Sequence, residues 1–534
     1  MHDLAILAAV ASLFILATAY LGWYGYKHTK SNEDFLLGKK KARPVVIALS
    51  YGATFLSASA IVGFGGMAAN YGLLMIWLMV LCIMVGTIIA FAVFGKRTRK
   101  KGHEHNARTF PELMGKMFGS PAIRTFSALM ILVGMPIYCA AVLTGGVNFV
   151  WVTTGVDRNI VLLGLSLVVA LYVVYGGVIA VMYNDAMQAG IMFAGMAAIL
   201  VFTFWQLGGV TEAFTQLDAL WHTRVNQTDF AGMVSNGFNG WASSPDFGSN
   251  IWLVVVTTLL LGVGIGSLAQ PQLVVRFMSA KDDRSLDRSM WIGALFILVI
   301  LGTAFTIGPL SNVYFFNTTG KTASQLFTNS DQIIPEFVNA LFADITFGDV
   351  FISLFILALV CASISTMSAL FHTMGSSAGY DLWIRRKDLR SVESSTDMKG
   401  SLKANRTGTL IMVGTVIVIA YLMPDNIIAK ATVIFMGLTA AALLPSLAYG
   451  LFSERPDATV AKISIAVGSV AWSIWAFFMN SGIADMLGIP KLMTGTWLNS
   501  VDPLVIGLPL SALALVLAYA MTVRKKNAPV PSAE

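Results

Sequence analysis

The sequence predicts an all-α polytopic membrane protein with about 13 transmembrane helices. The chain has 534 residues, of which 56% are apolar and 12% are charged, and its mean hydropathy is +0.73. Soluble domains are about 45–50% apolar and about 25% charged. Apolar runs that are long enough to cross a ~30 Å bilayer core recur along the chain, and the Lys and Arg residues lie mostly in alternate loops between them. A soluble domain is therefore excluded, and little chain remains for an appended catalytic domain.

The apolar runs and the charged breaks between them define the candidate helices. The runs are 4–26, 45–69, 73–94, 122–150, 160–175, 179–207, 251–275, 290–312, 350–379, 407–423, 427–452, 460–479 and 503–522. The first run follows Asp3 and precedes lysines, which predicts an uncleaved span rather than a signal peptide.

Positive charge predicts the orientation, because cytoplasmic loops retain Lys and Arg. Of the 35 basic residues, 30 fall on one side of the predicted topology. The other side holds Arg158, Arg224, Lys321, Lys430 and Lys491. We therefore expect a plasma (inner) membrane protein with its N-terminus outside and its C-terminus in the cytoplasm. The net charge of +7 is spread over short loops, so no nucleic-acid partner is expected.

Two predicted spans contain helix-breaking residues in corresponding positions. The span 45–69 combines Ser57 and Ser59 with a glycine cluster, and the span 251–275 combines several glycines with Pro271. The second of these spans comes five spans after the first, as expected for an inverted-repeat transporter that binds its ligands where helices break. The alternative is that the glycines only permit close helix packing.

This repeat divides the chain into six parts. They are a first helix with a basic loop (1–44), a first five-helix repeat (45–207), an outer loop (208–250), a second five-helix repeat (251–452), two C-terminal helices (453–522) and a cytoplasmic tail (523–534).

The ninth predicted span carries a cluster of hydroxyl groups. Ser365 and Thr366 follow Ala362 by three and four residues, so both hydroxyls and the Ala362 carbonyl can lie on one helix face. Uncharged oxygen atoms suit a weakly bound cation such as Na⁺. The alternative is that each hydroxyl bonds to a carbonyl one turn earlier.

Ionisable residues are rare within the spans, and such residues are functional candidates by default. Asp185 could bind or relay a cation, or cap its helix near the N-terminus. His372 could be a proton site, although a neutral packing histidine is favoured. No Lys or Arg is expected in the core of any span. The His103–His105 stretch is interpreted as a solvated loop rather than a metal site.

The chain lacks a phosphate-binding glycine loop, paired catalytic carboxylates and an activated nucleophile. An enzymatic function is therefore not expected. The cysteines Cys82, Cys139 and Cys361 lie in apolar runs without metal-like spacing and are interpreted as buried thiols.

Five segments resemble the sodium/solute symporter family, which includes sodium/proline, sodium/glucose, pantothenate, acetate and monocarboxylate transporters. They are SNEDFLLGKKKARPVVIALSYGATFLSAS, YGGVIAVMYNDAMQAG, AQPQLVVRFMSAKD, CASISTMSALFHTMGSSAGYDL and GLTAAALLPSLAYGLF. The resemblance implies a five-plus-five inverted-repeat core of the LeuT-like fold.

The resemblance also implies the sodium ligands. The main site would use the carbonyls of Ala53, Leu56 and Ala362 with the hydroxyls of Ser365 and Thr366. A second sodium site in some members uses the aspartate matching Asp185 and serines matching Ser365, Ser368 and the next residue, which here is Ala369.

The same resemblance narrows the range of expected solutes. Ser57 matches a pocket residue of proline transporters, but the aromatic positions that those carriers place before the Gln-Pro pair are Val263 and Ser267 here. The stretch ATFLSASAIVG resembles the pantothenate and monocarboxylate branches. A carboxylate would rest on hydroxyls and on the N–H groups of a half-helix. The expected wall of the binding site consists of Ser57, Ser59, Tyr138, Val263 and Ser267.

The sequence therefore predicts a sodium-coupled symporter that imports a small monocarboxylate of the acetate, propionate, pyruvate or lactate type by alternating access. Pantothenate, proline, another amino acid or a sugar are alternative solutes. A sensor would need an effector domain, and the loop from Asp381 to Arg406 is too short for one. An ion-translocating complex subunit would need more ionisable residues at midplane. The oligomeric state is left open.

Overall fold

The structure is a computed structural model, and it describes residues 4–38, 42–343, 348–384, 398–423, 428–485 and 488–527. These residues are mostly helical and form no strand beyond an isolated bridge between Ala42 and Ala280. Within this described part of the chain, eleven helices are long and apolar enough to cross a membrane. The predicted all-α polytopic class is therefore confirmed. Most of the predicted tail and part of the loop from Asp381 to Arg406 lie outside the described residues.

The described residues up to Gln206 form nine α-helices. They are α1 (Leu4–His28), α2 (Asn32–Leu37), α3 (Pro44–Phe55), α4 (Phe64–Tyr71), α5 (Ile76–Ile83), α6 (Lys96–Glu104), α7 (Phe110–Met117), α8 (Pro121–Thr154) and α9 (Arg158–Gln206). A π-helical turn (Ser59–Gly63) leads into α4, a 3-10 turn (Gly72–Met75) joins α4 to α5, and a π-helical stretch (Met84–Gly95) joins α5 to α6.

The remaining α-helices continue in chain order. They are α10 (Val210–Ala219), α11 (Ala231–Val234), α12 (Asn250–Leu253), α13 (Gly262–Gly266), α14 (Pro271–Met278), α15 (Asp283–Thr319), α16 (Ala323–Leu326), α17 (Ser330–Phe342), α18 (Gly348–Ser376), α19 (Met398–Leu422), α20 (Ile428–Phe452), α21 (Ala458–Phe478), α22 (Ser481–Ala484) and α23 (Pro503–Asn527). A π-helical stretch (Val254–Leu261) joins α12 to α13, and another (Ser377–Ile384) extends α18.

The difference between thirteen predicted spans and eleven long helices has two causes. The predicted spans 160–175 and 179–207 are both present as helices, and the range of α9 joins them across a kink at Gly177, where φ is 57° and ψ is −155°. The predicted span 45–69 is interrupted, so α3 has only 12 residues and the rest of that span joins the next helix. Both differences arise at sites where the backbone leaves helical geometry without leaving the bundle.

The two predicted breaks occur where the sequence placed them. Helix α3 ends at Phe55, and the next residue, Leu56, has extended φ/ψ values of −99° and 92°. The second broken span changes direction at Gln270, which has φ −73° and ψ 115°, and Pro271 then starts α14. A proline suits the first helical turn because no intrahelical partner exists there for its missing N–H.

Long buried helices surround these breaks. Helix α18 packs against α8 and α9, and α3 packs against α9 and α15. Helices α21 and α23 pair with each other and with α20. Large apolar side chains on the outer helices, such as Leu16, Leu167 and Val418, are exposed, as expected for a surface whose solvent is lipid.

Candidate functional site

The break after α3 lies against the hydroxyl cluster of α18. Ser365 Oγ donates a hydrogen bond of 2.9 Å to the Ala53 carbonyl, and Thr366 Oγ1 donates one of 3.2 Å to the Thr54 carbonyl. Ser365 Oγ also lies 3.3 Å from the Ala362 carbonyl. All these residues are buried. The cluster therefore joins the end of one helix to the middle of another through uncharged oxygen atoms.

The end of α3 explains why carbonyls are available there. The last four carbonyls of a helix lack amide partners four residues ahead. The amide of Leu56 closes the final turn by donating to the Gly52 carbonyl at 2.9 Å, and the chain then becomes extended. The structure thus brings Ala53, Ala362, Ser365 and Thr366 into direct contact and places Leu56 at the adjoining break.

A second polar cluster surrounds the fully buried side chain of Asp185. Its carboxylate accepts hydrogen bonds from Ser50 Oγ at 2.7 Å, Arg276 Nη2 at 3.0 Å and Ser368 Oγ at 3.1 Å. Thr54 Oγ1 lies 3.4 Å away. These groups come from α3, α9, α14 and α18, so one carboxylate links four helices.

Arg276 corrects two expectations from the sequence. The guanidinium side chain is only 3% exposed and forms an ion pair with Asp185, so the expectation of no arginine in the span cores is wrong. Arg276 follows the apolar stretch LVV and precedes FM, which is the signal that could have placed it inside. Asp185 is eight residues beyond the bend at Gly177, so its alternative role as a cap near a helix N-terminus is also wrong.

A small cavity lies on the other side of the break after α3. Its volume is about 20 Å³, which is room for a water-sized group. Ser57, Ser59 and Val263 of the predicted wall line it. Ser57 Oγ and Ser59 Oγ are 2.5 Å apart, and Ser59 Oγ is 3.0 Å from Thr432 Oγ1. The cavity therefore has a chain of hydroxyls along part of its wall.

The rest of this cavity is mainly apolar. The further lining residues are Phe55, Leu56, Ala60, Phe64, Leu78, Cys82, Leu301, Phe305, Thr432 and Met436. The sequence-based wall omitted Thr432 because nothing in its own helix distinguishes it. Its contact with Ser59 spans 373 positions of the chain.

The other two predicted wall residues do not line the cavity. Tyr138 is buried beside Ser57, but its hydroxyl lacks a hydrogen bond of ordinary geometry within the described chain. The Tyr138 ring stacks on Phe435 with centroids 5.9 Å apart. Ser267 Oγ donates to the Gly264 carbonyl at 2.9 Å. Tyr138 therefore contacts the lining residue Ser57 without lining the cavity itself. The Ser267 hydroxyl is already used in a hydrogen bond within its own segment.

His372 and His103 each place a ring nitrogen near a backbone carbonyl. His372 Nε2 lies 2.7 Å from the Phe35 carbonyl and therefore carries a proton. His103 Nε2 lies 3.2 Å from the Met278 carbonyl. No group of three or more His, Cys, Asp or Glu side chains that could hold a metal occurs among the described residues.

Broken helices, a hydroxyl and carbonyl cluster, and an adjoining small cavity define a multi-pass secondary transporter with an inverted-repeat core. Residues 35–468 match the model of the Sodium:solute symporter family, so the chain belongs to that family. Membership confirms sodium as the coupling ion, and the similar proteins are transporters rather than enzymes.

Among similar proteins is an osmoregulated proline transporter of Bacillus subtilis, 24% identical, with 93% of each chain covered. A sodium/pantothenate symporter of Haemophilus influenzae is 27% identical, with 86% of this chain and 89% of that protein covered. A sodium/proline symporter of Escherichia coli is 23% identical, with 91% of this chain and 90% of that protein covered. The solved structure of a Na⁺-coupled sialic acid symporter matches with TM-score 0.74 and 18% identity, covering 99% of both chains.

Proposed function

We propose that this protein imports a small monocarboxylate together with sodium across the plasma membrane, with its N-terminus outside and its C-terminus in the cytoplasm. The observation that carries the proposal is the composition of the cavity. Its polar groups are mainly the hydroxyls of Ser57, Ser59 and Thr432, and aromatic and aliphatic side chains form the rest. This arrangement suits an acid with a short apolar tail, for which the cavity would have to widen from its volume of about 20 Å³.

The carboxylate would bind without a formal counter-charge. No charged side chain lines the cavity within the described part of the chain. The break at Leu56 and Ser57 places the start of the following helix beside the cavity, and the helix dipole favours negative charge there. Hydroxyl donors at Ser57 and Ser59 complete such a site.

The relatives are consistent with a carboxylate but favour other solutes. Proline and pantothenate, named for three relatives, both carry a carboxyl group. At 23–27% identity the solute can differ between relatives while the coupling ion is shared. Proline or pantothenate therefore remains the second candidate, and the uptake panel below separates these solutes.

The coupling sodium would bind at the carbonyls of Ala53, Leu56 and Ala362 with the hydroxyls of Ser365 and Thr366. Unwound carbonyls that coordinate sodium next to a substrate site are a general feature of broken-helix transporters. The hydroxyls of Ser365 and Thr366 already lie within 3.3 Å of the Ala53 carbonyl, so little movement is needed to surround one cation.

A second sodium at Asp185 and Ser368 is less favourable. Arg276 already supplies positive charge to Asp185 at 3.0 Å, and Ala369 lacks the third hydroxyl. A second cation would have to displace the guanidinium from a buried carboxylate. We therefore propose one sodium for each monoanion.

The test is uptake into proteoliposomes under an inward sodium gradient, with a potassium gradient as control. Labelled acetate, propionate, pyruvate, lactate, pantothenate, proline and glucose form the panel. We expect accumulation of one small acid that requires sodium. Accumulation of proline, pantothenate or glucose instead would overturn the monocarboxylate assignment and leave sodium coupling intact.

The sodium site is tested by S365A combined with T366V. We expect the double variant to lose sodium-stimulated uptake and sodium-dependent protection from heat while it remains folded. The matched control is S469A, because the Ser469 hydroxyl only bonds back to the Ile465 carbonyl of its own helix at 2.7 Å. Unchanged sodium dependence in the double variant would refute the assignment.

A further inference from the structure

A second cavity shares its helices with the solute cavity. Its volume is about 230 Å³, and it lies at the ends of three segments that also line the solute cavity. These segments are the stretch from the break through α4, the stretch from Val254 through α13, and α20. Met67, Thr258 and Lys430 line the larger cavity, whereas Phe64, Val263 and Thr432 line the smaller one. The two cavities are therefore neighbours along the same segments.

Lys430 is the cation among the residues that line this second cavity. It is exposed and lies in the first turn of α20, two residues before Thr432. Cations are unfavourable at a helix N-terminus, where the dipole is already positive. This placement lowers the stability of the first turn of α20. It also raises the positive potential inside the cavity, which favours the binding of an anion.

The carboxyl group in the same cavity is engaged at the start of α23. Asp502 is 3% exposed and accepts a hydrogen bond from the Leu504 amide at 2.8 Å. Burial raises the pKa of Asp502 to about 7, which disfavours its charged form. Asp502 therefore serves mainly to start α23, and the ammonium of Lys430 is left to interact with a ligand.

The remaining wall suits the rest of a small acid. Met67, Leu259 and Ile483 present apolar surface, and Asn480 and Ser500 add polar groups around it. The distribution of Lys and Arg predicts that this end of the bundle faces outside.

We infer that this second cavity is an outer entry site, in which Lys430 pairs with the carboxylate of the incoming solute before the solute moves along α20 to Thr432. The inference rests on the proposed function in requiring an acidic solute. It makes Lys430 a residue that selects charge at the entrance, distinct from the hydroxyls that hold the solute at the break.

The test compares K430Q and K430R with wild type in initial rates of sodium-driven uptake of the acid found in the panel. We expect K430Q to raise KM roughly two- to fivefold, as for loss of one exposed ion pair, with kcat unchanged. K430R keeps the charge and should stay near wild type. The matched control is K321Q, because Lys321 is also exposed but lines neither cavity.

Ionic strength provides an independent readout on the unmodified protein. Raising salt at constant sodium should lower kcat/KM for wild type and leave K430Q unchanged, because screening acts on the charge that the variant lacks. Equal KM values and equal salt dependence for wild type and K430Q would overturn the entry site. If wild type accumulates only an uncharged solute, the proposed function fails as well; if it accumulates an acid and K430Q behaves identically, only this inference fails.

Discussion

The buried ion pair between Asp185 and Arg276 gives a quantitative prediction. We consider the substitution R276Q, which removes the guanidinium that lies 3.0 Å from the carboxylate. The Asp185 side chain is 0% exposed and the Arg276 side chain 3%. Breaking a buried pair by removing one partner costs about 3–5 kcal/mol, because the remaining charge is left uncompensated. Asp185 keeps its donors Ser50 and Ser368, so we expect about 3 kcal/mol.

The prediction is sharpened by a double-mutant cycle with D185N. That variant alone leaves Arg276 as an uncompensated buried cation and should cost a similar amount. The combination D185N/R276Q leaves neither charge, so it should cost clearly less than the sum of the single variants. Interaction energies between residues in contact are about 0.5–3 kcal/mol, and we expect this pair at the upper end.

The assay is thermal denaturation of the four purified proteins in the same detergent and sodium concentration. The matched control is K491Q, because Lys491 pairs with Asp485 at 2.8 Å but the Asp485 side chain is 61% exposed. Such pairs contribute about 0–1 kcal/mol. The reasoning fails if R276Q melts like K491Q, or if the losses of D185N and R276Q simply add in the double variant.

Two further predictions concern coupling and packing. One sodium moving with one monoanion transfers no net charge, so a tenfold sodium gradient supports about tenfold accumulation, equivalent to about 1.4 kcal/mol. Setting the membrane potential to about 100 mV with a potassium diffusion potential should therefore leave the final level of accumulated acid unchanged. A steep rise of that level with voltage would indicate a second cation. G66A should destabilise the protein by about 1–3 kcal/mol, because a Cβ there would overlap the Ser330 carbonyl. G190A is the control, because nothing lies within 4 Å of the added Cβ. Equal melting temperatures of the two variants in thermal denaturation would contradict the close contact between α4 and α17.

The fold was largely predictable because the bilayer imposes simple rules on the sequence. A membrane helix must be apolar along its length, and positive charge marks the loops on one side. The breaks at Leu56 and Gln270 were also predictable, because serine, glycine and proline cluster there. The kink at Gly177 was predictable as well, because the predicted spans 160–175 and 179–207 end and begin on either side of it.

The candidate site was predictable only where its residues are close in sequence. Ser365 and Thr366 follow Ala362 within one turn, so their common face follows from helix geometry. Arg276 was missed because an arginine at the end of an apolar run looks like the start of a loop. Thr432 was missed because its partner Ser59 is 373 positions away, and only the packed bundle brings the two together.

The break after α3 offers a physical basis for coupling between the two ligands. The proposed sodium ligand Leu56 and the cavity residue Ser57 are consecutive, so they share a peptide unit in the extended part of the chain. Sodium bound to the Leu56 carbonyl would fix the orientation of that unit, and with it the position of the Ser57 hydroxyl. The first ligand to bind loses the conformational entropy of ordering this peptide unit, and the second ligand then binds to a unit that is already ordered. Each binding event therefore favours the other. Because such coupling is reciprocal, the solute should raise the affinity for sodium by the same factor by which sodium raises the affinity for the solute. S365A/T366V should therefore weaken solute binding at equilibrium although neither residue lines the solute cavity, whereas unchanged solute affinity at saturating sodium would place the coupling elsewhere in the bundle.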